Sequence, residues 1–334
     1  MRSGSLKKER IRTLHSLVTM LTYKRKHGTE SIKDFCARYL HPTFGHPDKD
    51  GNYVLIVGNK PNILYAAHYD SVHKSDGRQK VKVSGGVATL HPDNEVECLG
   101  ADCATGIWLI LEMIDAGIEG VYVVHAQEEV GCLGSKALVK RIPYWLGAID
   151  AVISFDRKGQ SDIITHQMGM RTASDAFAHS LADILGLGHK PDDGGSYTDS
   201  NEYAETVSEC TNLAVGYTDQ HTAKETQDLD YAAELRDALI EADWSQLVFE
   251  RDPSVVEWAY GQDWGYPFRG FQSYYSDSLV EEDTLDDYYE IIRDYDKALA
   301  RMLEDWFQSP YDLLDELQRY GADPFRSPLL RRYK

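Results

Sequence analysis

The sequence predicts an α/β fold: a mixed, mostly parallel central sheet with helices on both faces, followed by a helical C-terminal extension. Three observations lead there. Short apolar, β-branched runs alternate with segments of helical apolar spacing across residues 6–247, as expected of strands joined by crossover helices. Acids and histidines recur just after those runs, and ligands of open α/β sheets bind beyond the carboxyl ends of strands. Past Leu247 the composition turns aromatic, Gly-rich and acidic without a clear period.

Leu6 to Tyr23 places Ile11, Leu14, Leu17, Val18 and Leu21 at helical spacing, and Thr29 to Leu40 repeats the pattern behind a Thr or Ser cap. Asn52 to Val57 and Asn62 to Ala67 read as strands around a Gly58–Pro61 turn, the second ending in His68-Tyr69-Asp70. Between Gln79 and Leu99 alternating stretches broken by Gly85-Gly86 read as a hairpin. Gly100-Ala101-Asp102-Cys103 leads into a helix over Thr105 to Ala116.

The next strand, Val121 to Ala126, ends on two adjacent acids, Glu128 and Glu129, and Gly134 to Arg141 forms a helix. Ala148 to Phe155 is a strand ending on Asp156; Ser161 to Thr165 is strand-like and Thr172 to Leu185 helical. Pro191 to Ser200 is a Gly- and Asp-rich loop, Asn212 to Tyr217 a last core strand closing on Asp219-Gln220-His221, and Ala232 to Leu247 a helix. Helices are also expected over Asp283 to Phe307 and Pro310 to Tyr320. The division is therefore a catalytic domain at 6–247 and an extension at 248–334 that holds about half of the net negative charge.

A formal net charge of −19 argues against nucleic-acid binding through a phosphate-neutralising surface, which needs clustered Lys and Arg. The basic groups at Lys7–Arg12 and Tyr23–His27 read as solvated helix faces. No apolar run approaches the roughly 18 residues of a membrane span, and the N-terminus lacks a signal-peptide layout. Five cysteines, odd in number and without zinc-finger spacing, fit a reducing cytoplasm.

His68, Asp102, Glu129, Asp156 and His221 stand 34, 27, 27 and 65 residues apart. Such spacing makes no local finger; a fold must assemble the site. Imidazole and carboxylate suit Zn²⁺, and five such groups with one shared carboxylate hold two ions about 3.5 to 4 Å apart. Three carboxylates against two dications leave a single positive charge, which favours a bound hydroxide near neutral pH. Glu128, beside a ligand yet spare, is placed to take a proton from water and return it to a leaving amine. Asp70, two residues from His68, is placed to accept the ring N–H and fix the tautomer.

The segments AHYDSV, GADC, EEVGCLGS, SFDRKG and VGYTDQHT, in that order, resemble the co-catalytic di-zinc exopeptidases, a superfamily that includes bacterial aminopeptidases, tripeptide aminopeptidases and carboxypeptidase G-like enzymes. The resemblance covers roughly residues 8 to 247. It implies His68 and Asp156 on one zinc, Glu129 and His221 on the other, Asp102 bridging, Glu128 as general acid/base and Asp70 behind His68. Co²⁺ or Mn²⁺ would be substitutes. In these families a cis peptide bond and an Asp or Asn commonly follow the bridging aspartate; here Cys103 follows. The gaps of 34 and 65 residues hold no inserted domain, so the chain looks most like the compact, single-domain aminopeptidase branch.

The implied activity is hydrolysis of N-terminal residues from peptides. A carboxypeptidase or an N-acyl amino acid deacylase would use the same site, and a non-catalytic binding module would use the same fold. For substrate contact the sequence offers Tyr197 and Asp199 in DGGSYTDSNEYAE, Tyr217 to steady an oxyanion or to pack, and Arg157 to bind a substrate carboxylate or to pair with a surface acid. The extension offers a surface for a partner or a second copy. His125, inside a strand, reads as a buried histidine, while His73 has no partner pattern.

Overall fold

The computed structural model describes residues 13–141 and 145–257. The helices expected over 283–307 and 310–320, and most of the extension, lie outside the described residues. Within the first expected helix, residues 13–20 are helical (α1) and bury Leu17 and Met20. The second runs over Glu30–Phe35 (α2), widens into a π turn over Cys36–Leu40, and closes in a short helix over His41–Phe44 (α3) that has Pro42 in its first turn.

The strands that follow are β1 (Tyr53–Val57), β2 (Ile63–His68), the hairpin β3 (Val81–Ser84) and β4 (Val87–Leu90), and β5 (Gly120–His125). After them come β6 (Ala151–Arg157), β7 (Asp162–Ile164), the small pair β8 (His166–Gln167) and β9 (Met170–Arg171), and β10 (Lys190–Asp192). The last are β11 (Glu209–Ala214), β12 (Tyr217–Thr218) and β13 (Thr226–Asp228). Four longer helices are interleaved: α4 (Ala101–Asp115), α5 (Leu133–Lys140), α6 (Asp175–Leu185) and α7 (Leu229–Glu241).

Seven strands form the main sheet in the order β1-β5-β2-β6-β11-β7-β10. Its centre, β5-β2-β6-β11, is parallel, whereas β1 pairs antiparallel with β5 and β7 antiparallel with β11, and β10 runs parallel to β7. Every residue of β2, β5 and β11 is buried, which explains the apolar runs of β2 and β5. The pleat sorts these side chains by parity. Tyr65, Ala67, Tyr122, Val124, Ile153 and Phe155 join the larger cluster with α1, α4, α6 and α7. Leu64, Ala66, Val121, Val123 and Val152 join a smaller one with Leu138 of α5. The Tyr65 ring stacks on Phe155 at 6.0 Å and on Tyr122 at 5.2 Å.

Helix α4 carries Asp102 in its first turn, and it lies so close to β6 that a Cβ on Gly106 would sit 2.3 Å from the Phe155 carbonyl. Regular helix starts only after Cys103, because Asp102 and Cys103 have non-helical backbone angles and share a cis peptide bond.

The expected hairpin β3–β4 forms and belongs to a separate antiparallel sheet, β12-β13-β4-β3. The last core strand ends at Ala214 rather than Tyr217, because Gly216 takes a positive φ and turns the chain into β12. His221 therefore lies in the β12–β13 connection of the second sheet. Among the described residues no helix is long and apolar enough to cross a membrane.

Candidate metal centre and active site

Three of the five ligand-type residues come from the carboxyl edge of the main sheet. His68 is the last residue of β2, Asp156 the second-last of β6, and Glu129 lies on the turn after β5. Asp102 comes from the non-helical start of α4, and His221 reaches in from the second sheet with a positive φ. His68 Nε2 stands 3.0 Å from Asp102 Oδ1 and 3.3 Å from Asp156 Oδ1. His221 Nε2 stands 3.1 Å from Asp102 Oδ2 and 3.2 Å from Glu129 Oε1. The two oxygens of Asp102 thus face one imidazole each, as a bridging carboxylate requires.

The tautomer of His68 tests whether a cation fits. Its Nδ1 lies 3.2 Å from the carbonyl of Asp70, which can only accept, so Nδ1 carries a hydrogen. In neutral His68 the Nε2 lone pair then points between two carboxylate oxygens, an arrangement that repels unless a cation sits among them. Oε1 of Glu129 is buried, and its 3.2 Å contact with His221 Nε2 lacks hydrogen-bond geometry, which suits an oxygen that ligates a cation. Ligand atoms of His68, Asp102 and Glu129 fall within 4.8 Å of one another. The donor set, imidazole and carboxylate, fits zinc.

The electrostatics carry the same signature. Burial opposes a charge on His68, but Asp156 and Cys103 beside it and its contacts with Asp102 raise its pKa well above the usual histidine value. Contacts with Asp102 and Glu129 lift His221 to about 10. Burial and the charge of Asp102 push Asp156 up to about 7. Burial also raises Glu128 well above the carboxylate range, helped by Asp156, Asp199 and Asp102. So dense a group of acids holds protons that a dication would displace.

Asp70 does a different task from the one expected. Its carboxylate stands 3.6 Å from His68 Nδ1, beyond hydrogen-bond reach, and the ring N–H goes to the Asp70 carbonyl instead. The two carboxylate oxygens accept the backbone N–H groups of Glu128 at 3.0 Å and Glu129 at 3.1 Å. Asp70 thereby fixes the turn that presents both glutamates.

The four residues proposed for substrate contact have other partners. Arg157 is committed to Asp162, with Nε and Nη2 at 3.0 and 2.9 Å, and lies 3.5 Å from Asp192. The phenol of Tyr217 donates to the Asp156 carbonyl at 2.8 Å, and that of Tyr197 donates to Glu202. Asp199 accepts from Ser135 at 2.5 Å, and burial beside Asp70 and Asp156 pushes its pKa up to about 8. His125 is buried, as expected, between Asn52 and Tyr203.

Sequence reading missed several supports. Thr198 donates to Asp156 Oδ2 at 2.7 Å, and Asn212 Oδ1 accepts the Asp156 N–H at 3.0 Å. Arg25, placed by sequence on a solvated basic face, is fully buried and donates to the carbonyls of Gly100 and Asp102. Its carbonyl and N–H engage Ser71 and His73, so the stretch packs under the site. Glu225 had one available signal, its place four residues after His221 in HTAKET.

Residues 52–192 match peptidase family M28. Four of the five ligand-type residues, with Asp70 and Glu128, fall inside the matched span; His221 lies beyond it. The fold of this chain is shared by solved structures at low identity. The aminopeptidase PepT from Bacillus cereus ATCC 10987 is 16% identical with a TM-score of 0.51, covering 70% of this chain and 98% of PepT. A tripeptidase from Staphylococcus aureus subsp. aureus Mu50 is 14% identical with a TM-score of 0.56, covering 70% and 97%. The TET1 peptidase of Pyrococcus horikoshii is 15% identical with a TM-score of 0.51, covering 70% and 99%. With five ligand-type side chains converged beside Glu128, the match over residues 52–192 is that of a metallopeptidase. Separately, an 85-residue stretch, 25% of the chain, is 36% identical to the DNA-directed RNA polymerase subunit omega of Limosilactobacillus fermentum (strain NBRC 3956 / LMG 18251) and covers 81% of it; that stretch is a relative of the subunit.

Proposed function

We propose that the chain is a zinc-dependent aminopeptidase with a two-ion centre, in which His68 and Asp156 hold one zinc, Glu129 and His221 the other, and Asp102 lies between. One observation carries it: each Nε2 of His68 and His221 faces two carboxylate oxygens at 3.0 to 3.3 Å, with Asp102 shared. Zinc supplies such a site with a Lewis acid for the scissile carbonyl and with acidified water. Glu128, buried among acids that favour its protonated form, takes up a proton there and delivers it to the departing amine. Asp70 keeps Glu128 in place through its N–H.

The preference for an amino end rests on charge. Arg157, the cation offered for a substrate carboxylate, is engaged by Asp162 and Asp192, whereas the site is lined by carboxylates, with Asp199 behind Ser135. Arg157 is thereby paired rather than free for a substrate carboxylate, which favours the amino-end reading. The five cysteines, all buried and none in a disulfide, support a reducing compartment such as the cytoplasm. Dipeptides blocked at either end decide the polarity: carboxy-blocked substrates are cleaved and amino-blocked ones are not. Turnover of only amino-blocked substrates would indicate a carboxypeptidase or deacylase. Full activity in Glu128→Gln, together with negligible metal in protein purified without chelator, would overturn the mechanism.

The omega-like stretch supports a second role, contact with a transcription complex. Retention of the chain by purified RNA polymerase tests it, and no retention at physiological salt refutes it.

A further inference from the structure

Asp102 has to present both carboxylate oxygens, one to each imidazole, from a segment that is neither strand nor regular helix. The turn that carries it, Gly100-Ala101-Asp102, is clamped from both sides. On the amide side Glu225 accepts three backbone N–H groups: Gly100 at 3.0 Å on Oε2, and Ala101 at 2.8 Å and Asp102 at 3.2 Å on Oε1. On the carbonyl side Arg25 Nη2 donates to Gly100 and, at 3.1 Å, to Asp102. Both charged side chains are buried, Glu225 to 1% exposure and Arg25 to 0%. Among the described residues both hydrogen-bond the peptides of the turn rather than a ligand side chain.

The two residues also connect the turn to the other ligands. Glu225 stands four residues after His221 in the same β12–β13 connection, so its grip ties the loop bearing His221 to the turn bearing Asp102. The Arg25 carbonyl accepts the Ser71 N–H at 3.0 Å and Nη1 reaches the Tyr69 carbonyl at 3.5 Å, immediately after His68. Gly100 makes room for this: with φ at +75°, an added Cβ would meet His73 at 2.7 Å and Arg25 at 3.2 Å.

Buried charges are costly unless hydrogen-bonded, and here the turn's amides satisfy Glu225 while its carbonyls take Nη2 of Arg25, whose Nε is buried without a partner among the described residues. We infer that Arg25 and Glu225 are positioning residues that hold Asp102 in its bridging pose and couple the His68 and His221 halves of the metal centre. The inference rests on the zinc reading proposed above. A glutamine at 225 would turn one acceptor into a donor facing N–H groups. A lysine at 25 would keep the charge and lose the planar guanidinium fork.

The test is zinc affinity of the full-length chain, measured by competition with a chromophoric chelator, for wild type, Glu225→Gln, Arg25→Lys and Glu209→Gln. Glu209 is a buried carboxylate of the same construction, accepting the N–H groups of Ser174, Glu250 and Arg251 away from the site, and serves as the structural control. Far-UV circular dichroism confirms that each variant is folded. Glu225→Gln and Arg25→Lys are expected to bind zinc roughly 10- to 100-fold more weakly, with the weaker ion lost first, while Glu209→Gln keeps wild-type affinity. A folded Glu225→Gln or Arg25→Lys with wild-type affinity overturns the inference, as does an equal loss in Glu209→Gln. Should one site variant fail to fold, the other still decides. Absence of stoichiometric zinc binding in wild type defeats the zinc reading instead, which separates the two failures.

Discussion

Asp70→Asn separates positioning from chemistry with one atom changed. The Asp70 carboxylate is 1% exposed and accepts two N–H bonds, at 3.0 and 3.1 Å, from the successive residues Glu128 and Glu129. An asparagine offers one oxygen and one NH₂ group, so one of the two N–H donors would face another donor. Losing a charge-assisted bond and leaving a buried donor unmet costs about 1 to 3 kcal/mol. The loss appears in stability if the turn stays put. It appears in catalysis if the turn swings away, carrying Glu128 and Glu129 with it. At about 2 kcal/mol the full effect on kcat is roughly 30-fold, and in a unit of this size the same energy is roughly 4 to 8 °C in Tm. Steady-state kinetics on an aminoacyl p-nitroanilide, with thermal unfolding in parallel, measure both. The expected result is a kcat lower by about 10- to 100-fold, KM little changed, and a Tm reduced by a few degrees. A kcat within twofold of wild type at a reduced Tm would make Asp70 purely structural and refute the positioning argument.

Removing zinc with a tight chelator should abolish peptidase activity and lower Tm; restoring zinc at about 1,000 times its Kd should return about 4 kcal/mol of stability, whereas a Tm indifferent to zinc contradicts binding at the native site. His73 is held near a pKa of about 4 by burial and by Arg25, below its unfolded value. The folded state then binds fewer protons than the unfolded state between those values, so stability is complete above about pH 6.5 and declines as pH falls toward 4, by roughly 2 kcal/mol at pH 5. Urea unfolding of wild type and His73→Gln at pH 7.5 and 5 should show their stability difference shrinking at the lower pH, and a constant difference rules this out. Tyr65→Ala empties a stack between Tyr122 and Phe155 at full burial, costing about 3 to 5 kcal/mol. Denaturation should detect that loss while zinc binding persists, and a cost below about 1 kcal/mol would show the stack to be dispensable.

Much of the fold was readable locally. The unbroken apolar runs of β2 and β5 and the alternation in β3 and β4 are periodicities of neighbouring residues, which strand geometry imposes directly. Arg25 shows where locality stops. A basic residue in the run Tyr23–His27 reads as solvent-facing unless its partners are known, and they lie 75 and 77 residues away. Arg157 beside Asp156 looked available for substrate until tertiary packing brought Asp162 and Asp192 against it.

By itself the sequence determined the alternation of strands and helices and offered the residue types of the proposed site, His68, Asp70, Asp102, Glu128, Glu129, Asp156 and His221, because each follows from short-range pattern and ligand chemistry. Tertiary structure alone decided which atoms meet. It sent the Asp70 carboxylate to two glutamate amides instead of an imidazole, placed His221 on the second sheet, and set Glu225 under the turn of Asp102 across 123 residues of chain. The physical reason is that a hydrogen bond is specified by distance and direction to within a few tenths of an ångström, and no local pattern in a chain encodes where a residue a hundred positions away will come to rest.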